Sequence, residues 1–230
     1  MLGGKTRRHP HLQRWPHREI TVITNIHIKE ICLMDKKVLT MPLKEEDVRE
    51  LKIGDVVYLT GHIFTARDMG HLKIRELLDA GQPLPKDFTG AAIFHAGPVC
   101  LKNEDGSWRL NVIGPTTSIR MEPHADVVGK MGIKAVIGKG GMEKGTLDAC
   151  EKYGYVYLQA APGCAAKLAQ GIKSVYDVTW FEMGMPEALW DLEAVEFGPL
   201  VVGMDTHQNS IYKNLKEAAL KKLDEIYPED

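Results

Sequence analysis

From Met34 onward the apolar positions fall into short β-branched runs separated by helical stretches. Val38–Met41 predicts a short strand, and Lys44–Leu51 a short helix closed by a turn at Gly54. Val56–Phe64 is β-branched and aromatic and predicts a strand. Thr65 opens a predicted helix to about Ala80, with Asp68 its capping-box partner three residues on. Pro83 and Pro85 mark 81–89 as a loop. Further strands are predicted at Ala91–His95, Trp108–Ile113, Lys134–Ile137 and Tyr155–Gln159, and later at Ser174–Met183 and Leu192–Met204. Helices are predicted from about Thr116, from Met142 to about Tyr153, and from Gly163 to Ala169. The last helix, Ser210–Ile226, is amphipathic: Ile211, Leu215, Ala218, Ala219, Leu223 and Ile226 follow the helical period. Trp180, Phe181, Trp190 and Phe197 read as core. Strands alternating with helices predict an α/β fold, with helices flanking one mixed central sheet.

Composition narrows the class without naming a function. The 230 residues are 44% hydrophobic and 26% charged, with a net charge of -2, as expected of a globular chain with a sizeable core. That balance gives no electrostatic footprint for nucleic acid. No apolar run approaches the ~18 residues of a membrane-spanning helix. Cys32, Cys100, Cys150 and Cys164 form no C-x-x-C pair and have no zinc-finger spacing to histidine. We therefore expect a reducing, cytoplasmic setting and no metal cage built by this chain alone.

Residues 1–33 differ from the remainder. They hold Lys5, Arg7, Arg8, Arg14, Arg18 and Lys29 against Glu19 and Glu30, together with His9, His11 and His17. There is no apolar core for a secretory signal, and the segment lacks the serine-rich, amphipathic character of a transit peptide. The expectation is a basic leader at 1–33, disordered or set by a start assigned too far upstream, before one domain at 34–230.

Three strand-to-helix turns concentrate the chemistry. They are Thr65-Ala66-Arg67-Asp68, Gly114-Pro115-Thr116-Thr117-Ser118-Ile119-Arg120, and Gly138-Lys139-Gly140-Gly141-Met142. Helix N-termini attract anions, and ligands of open α/β sheets gather at strand carboxyl ends. Arg67, Arg120 and Lys139 are thus expected to converge on one anionic ligand. Thr116 and Arg120 are four residues apart, hence on one helical face, and a guanidinium beside a hydroxyl suits a carboxylate. Read alone, Thr116 is as well explained as an N-cap and Arg120 as a surface ion pair. His71 lies one turn from Arg67. The third turn is neither a P-loop nor G-x-G-x-x-G, since Gly140 stands where a Ser/Thr is required and Glu143 where the last glycine belongs. Cys164 reads as a small buried thiol.

In this order the three motifs resemble the β subunit of class I (iron–sulfur) fumarate hydratases and L(+)-tartrate dehydratases, which is the C-terminal domain of single-chain members. The residues that carry the resemblance are Thr60-Gly61, Thr65-Ala66-Arg67-Asp68 with His71, Gly114-Pro115-Thr116-Thr117-Ser118 with Arg120-Met121, and Gly138-Lys139-Gly140-Gly141-Met142. The resemblance spans about residues 36 to 225; His207 stands where the family pattern has a glycine. It implies a swivelling β/β/α domain and reversible hydration of fumarate to (S)-malate. It further implies a [4Fe–4S] cluster ligated by a partner α subunit, and an α2β2 assembly. It assigns Arg67 and Arg120 to substrate carboxylates, with His71 and Thr117 as further substrate-binding residues. Thr116 becomes the candidate base and Lys139 the group stabilising an alkoxide. Tartrate dehydratase is the rival within the class, and a non-catalytic carboxylate-binding module is the rival outside it.

Overall fold

The structure, a computed structural model, describes residues 36–226. The expected basic leader therefore lies outside the described residues. In chain order the elements are β1 (Lys37–Thr40), α1 (Glu45–Arg49), β2 (Val56–Thr65), α2 (Asp68–Asp79), β3 (Ala92–Phe94), β4 (Val99–Lys102) and β5 (Trp108–Val112). A 3-10 turn (Ser118–His124) then runs into α3 (Ala125–Lys130). After it come β6 (Ala135–Gly138), α4 (Lys144–Tyr153), β7 (Val156–Ala160), α5 (Ala165–Ala169), β8 (Ile172–Thr179), β9 (Leu189–Met204) and α6 (Ile211–Ile226).

The fold is mixed α/β around a mixed sheet, as the alternation predicts. Strands β2, β3, β6 and β7 are parallel neighbours. β9 runs antiparallel to β7 and also to β2. Leu200 is register partner to both Ala160 of β7 and Val57 of β2, so β9 closes the sheet on itself. β1 extends it beside β2, and β8 beside β9.

Closure explains why the central strands are apolar at successive positions rather than alternately. One face points into the closed sheet and carries Leu59, Ile63, Phe94, Ile137, Leu158, Leu192 and Val202. The other carries Phe64, Ile93, Val136 and Tyr157 and packs under Ile74 of α2, Val127 and Val128 of α3, and Leu147 of α4. Side chains alternate with period two, so Phe94 points inward and Ile93 outward, and both are fully buried. Full burial of each such side chain contributes roughly 1.5–3 kcal/mol.

Three features depart from expectation. β4 has only Cys100 buried, too short a pattern to read, and it pairs with β5 in a separate hairpin. Trp190 and Phe197 are core, but Phe181 is exposed and Trp180 is half-buried at the turn after β8. The apolar stripe of α6 is not packed: Leu215, Leu220, Leu223 and Ile226 are exposed, and only the start of the helix is anchored, by a Tyr212–Gln159 hydrogen bond. Among the described residues no helix is long and apolar enough to cross a membrane.

Candidate active site

The three turns meet at one end of the sheet, by a route the sequence pattern does not show. The first follows β2 directly and the third follows β6. The second follows the β4–β5 hairpin, which is inserted after β3. The hairpin returns the chain so that Ala96 and Pro115 form a bridge and the Thr116 N–H donates to the His95 carbonyl at 2.7 Å. Thr117 bridges to Lys139, and the Ser118 N–H donates to the Lys139 carbonyl at 3.0 Å. The second turn thus sits between the ends of β3 and β6.

Arg120 ties the second turn to the first. Its Nε and Nη2 fork the two oxygens of Asp68 at 3.1 and 2.9 Å, and Nη2 also donates to Thr116 Oγ1 at 3.3 Å. Asp68 is therefore not a capping residue. Nor does Thr65 open the helix: it ends β2, buried, with its hydroxyl donating to the Ala188 carbonyl and accepting the Trp190 N–H. The first helical residue is Asp68, behind Arg67.

Arg67 is held from the other side. Its Nε lies 3.2 Å from Glu187 Oε1, while Glu187 Oε2 accepts the Met69 N–H at 3.1 Å. Gly97 makes room for it, because a Cβ there would stand 3.1 Å from Arg67 Nη1 and 2.8 Å from Pro186. Lys139 is half-buried, and among the described residues its ammonium makes no ion pair. Thr116 is half-buried and Thr117 exposed.

Only the first turn puts its cation on an α-helix N-terminus. The second opens a 3-10 turn, and residues 140–143 separate Lys139 from α4. The N-terminus of α4 already holds an anion: Glu122 accepts the N–H groups of Glu143 and Thr146, each at 2.9 Å, and the Thr146 hydroxyl at 2.6 Å. Anion attraction here rests on side-chain cations, with helix dipoles secondary.

Behind the turns lie three histidines, of which the sequence pattern singles out one. The rings of His71 and His95 meet edge to face at 5.1 Å, and His124 lies 5.4 Å from His71. His71 is fully buried, its Nδ1–H donating to the Arg67 carbonyl at 2.9 Å. The structure places it beneath Arg67 rather than on the open surface. Burial, chiefly, pushes its pKa down to about 4, and burial also holds His95 well below the ordinary histidine value. His95 Nδ1 lies 3.0 Å from Ser118 Oγ, which also accepts the Tyr157 hydroxyl at 3.1 Å. Gly138 is obligatory at this point, since a Cβ would lie 1.8 Å from Ser118 Oγ. The signal available in the sequence was a polar residue, His95, ending an otherwise apolar strand.

Among the described residues the cysteines form no iron–sulfur ligand set. Cys100 and Cys150 are buried in different layers of the core, where burial raises the first thiol to about 12 and the second well above its ordinary value. Cys164 is exposed before α5, not buried as its small size suggests, and Cys32 lies outside the described residues. Among the described residues no group of three or more His, Cys, Asp or Glu is arranged to hold a metal ion.

The sequence matches the family model described as Fumarase C-terminus over residues 4–215, a match that begins within the basic leader. It is similar to the L(+)-tartrate dehydratase subunit beta of Escherichia coli K12, with 42% identity over 195 residues, covering 84% of this chain and 95% of that one. A provisionally named L(+)-tartrate dehydratase subunit beta of Methanocaldococcus jannaschii is 49% identical over 186 residues, covering 80% and 95%. A provisionally named class I fumarate hydratase of Geobacillus stearothermophilus is 44% identical over 195 residues, covering 84% of this chain and 37% of that longer one.

Proposed function

The chain belongs to the fumarase C-terminus family, and on that premise we propose that it is the β subunit of a hydro-lyase, a class I fumarate hydratase interconverting fumarate and (S)-malate. The observation that carries this reading is the gathering of the Arg67, Arg120 and Lys139 turns at one end of the sheet, locked by the Arg120–Asp68 fork and the Thr117–Lys139 bridge. We read the closed mixed sheet as the swivelling β/β/α domain of the family. We assign the [4Fe–4S] cluster to an α subunit, in a cytoplasmic α2β2 assembly; among the described residues no cysteine set competes for it.

A dicarboxylate brings two charges into a partly dehydrated cleft, and each needs a donor. Arg67 and Arg120 have guanidinium N–H groups beyond those turned to Glu187 and Asp68, and these bind the carboxylates together with the exposed Thr117 hydroxyl. Removing the proton beside a carboxylate builds enolate-like charge, which preorganised cations favour over the ground state. Thr116 takes that proton. A threonine hydroxyl is a weak base, but the Arg120 N–H directed at Thr116 Oγ1 favours its anionic form, and Lys139, across the bridge from Thr117, stabilises the alkoxide. His71 orients the substrate indirectly, through the Arg67 backbone.

The rim of the site supports a covering partner. Met69 and Leu72 on α2 and Ile119 in the second turn are 49%, 46% and 39% exposed beside the cations. Leu72→Asp is expected to weaken association with the α subunit at least about tenfold while leaving the isolated chain folded. Titration calorimetry of the two chains measures this, and unchanged affinity would move the interface elsewhere.

A second reading, L(+)-tartrate dehydratase, is favoured by the names of the separate-chain relatives, each covered over 95% of its length. Anaerobic co-expression with the presumed α subunit, then assay with malate and with tartrate, decides between them. Malate turnover that needs both chains supports the first reading. Tartrate turnover alone supports the second. Dicarboxylate binding by this chain, with no cluster-bearing partner and no turnover, supports the carboxylate-binding module. The isolated chain is expected to be inactive.

A further inference from the structure

We infer that His95 is a positioning residue for this reaction: its imidazole, held between Ser118 and His71, sets the placement of Thr116 and the Lys139 turn. The inference rests on the hydro-lyase reading above and extends it to a residue that touches no substrate. His95 is buried just past the end of β3, beside the second turn and the strand that leads into the third. Its backbone N–H donates to the Ile137 carbonyl at 2.8 Å, just ahead of the third turn, and its carbonyl receives the Thr116 N–H. Those bonds survive any side-chain change. The imidazole adds a side-chain tie to Ser118, beside the bridges and the Arg120–Asp68 fork that hold the second turn.

Ser118 Oγ accepts the Tyr157 hydroxyl and shares a hydrogen bond with His95 Nδ1. The same residue's N–H is fixed to the Lys139 carbonyl. Ser118 therefore carries the constraint from His95 to the third turn, and it lies two residues from Thr116. The other ring nitrogen, Nε2, is buried, unpartnered and part of the histidine cluster. The opposite contact is the edge-to-face packing on His71, whose Nδ1–H holds the Arg67 carbonyl. One imidazole thus reaches the second turn directly, the first through His71 and the third through Ser118. Misplacing a reacting group by about 1 Å costs on the order of 100-fold in rate.

The test uses the two-chain complex and the full-length chain. His95→Leu keeps an apolar filling but removes the hydrogen-bond partner of Ser118, whereas His95→Asn returns a polar partner at the δ position. We expect His95→Leu to lower kcat about 100-fold with KM within about threefold, and His95→Asn to recover kcat to within about fivefold of the parent. Ser118→Ala cuts the same contact from its other end, should the leucine variant not fold, and is expected to show the same loss in kcat. In nitrogen-15 NMR of the full chain, the Thr116 and Lys139 amides should shift in His95→Leu or Ser118→Ala and stay near the parent positions in His95→Asn. Equal impairment by His95→Leu and His95→Asn, a KM that rises as far as kcat falls, or unmoved amides in Ser118→Ala would each overturn the assignment. A parent complex that turns over neither acid overturns the hydro-lyase reading instead, and the amide shifts still decide the positioning role.

Discussion

Arg120→Ala is expected to lower turnover by the two-chain complex 100- to 1000-fold, the loss of about 3–4 kcal/mol typical of one preorganised donor to developing charge. The side chain does two things at once in the geometry above. It forks Asp68 and donates to Thr116 Oγ1, and in the proposed function its Nη1 binds a substrate carboxylate. Removing it strips the candidate base of its stabilising N–H and frees the Asp68 carboxylate to repel a dianion. Unfolding cannot account for a loss of this size. The Arg120 and Asp68 side chains are 44% and 40% exposed, and pairs so exposed contribute only about 0–1 kcal/mol to stability. The thermal midpoint should therefore hardly move. Arg120→Lys restores the charge but not the planar fork, and is expected to remain at least about tenfold impaired. Steady-state kinetics of both variants, with unfolding curves beside them, check this; a loss under threefold in Arg120→Ala would remove Arg120 from the site.

The sheet was legible because its strands obey one local rule. Lys134–Ile137 and Tyr155–Gln159 are apolar at successive positions, and only strands covered on both faces need that. What the pattern does not encode is which second partner a strand takes. Nothing local to Leu200 says that it serves both Ala160 and Val57, so closure had to come from the structure. The site divides in the same way. Arg67, Thr116, Arg120 and Lys139 stand out as a hydroxyl and cations in glycine- and threonine-rich turns, a composition visible in one dimension. Asp68 was misread because an acidic residue three positions after a threonine fits a capping box equally well. Its real partner, Arg120, is 52 residues away. His95 and His124 were not singled out for a related reason: one ends an apolar strand and the other lies in a mixed stretch beside Pro123, and the feature they share, proximity to His71, is three-dimensional. The α6 stripe shows the converse. Its period is correct, yet periodicity reports only that a face is apolar and says nothing about what covers it.

The buried histidines also predict an acid-labile fold. His71 titrates near 4 in the folded chain against an ordinary value of 6.5, chiefly because burial disfavours the imidazolium; nearby His124 and Arg75 push the same way, while the Arg67 carbonyl and Asp68 oppose. Above pH 6.5 the ring is neutral in both the folded and unfolded chain, and the difference has no effect. Between 6.5 and 4 the unfolded chain binds a proton that the folded chain refuses, so stability falls as the pH falls. Over that interval His71 alone removes about 3 kcal/mol, a large part of the stability of an ordinary domain. His95 acts in the same direction. The shifted carboxylates titrate at 3.8–4.5 in the unfolded chain and lower in the fold, so most of their loss comes below this window and leaves the histidine contribution separable. Urea unfolding of the full-length chain from pH 7 to 4.5 should show a steep decline beginning near 6.5. His71→Asn keeps a donor for the Arg67 carbonyl but no ionisable ring, and should flatten that decline while lowering stability at pH 7 only modestly. Equal slopes in parent and variant would show that His71 takes up its proton as readily inside the fold as outside it.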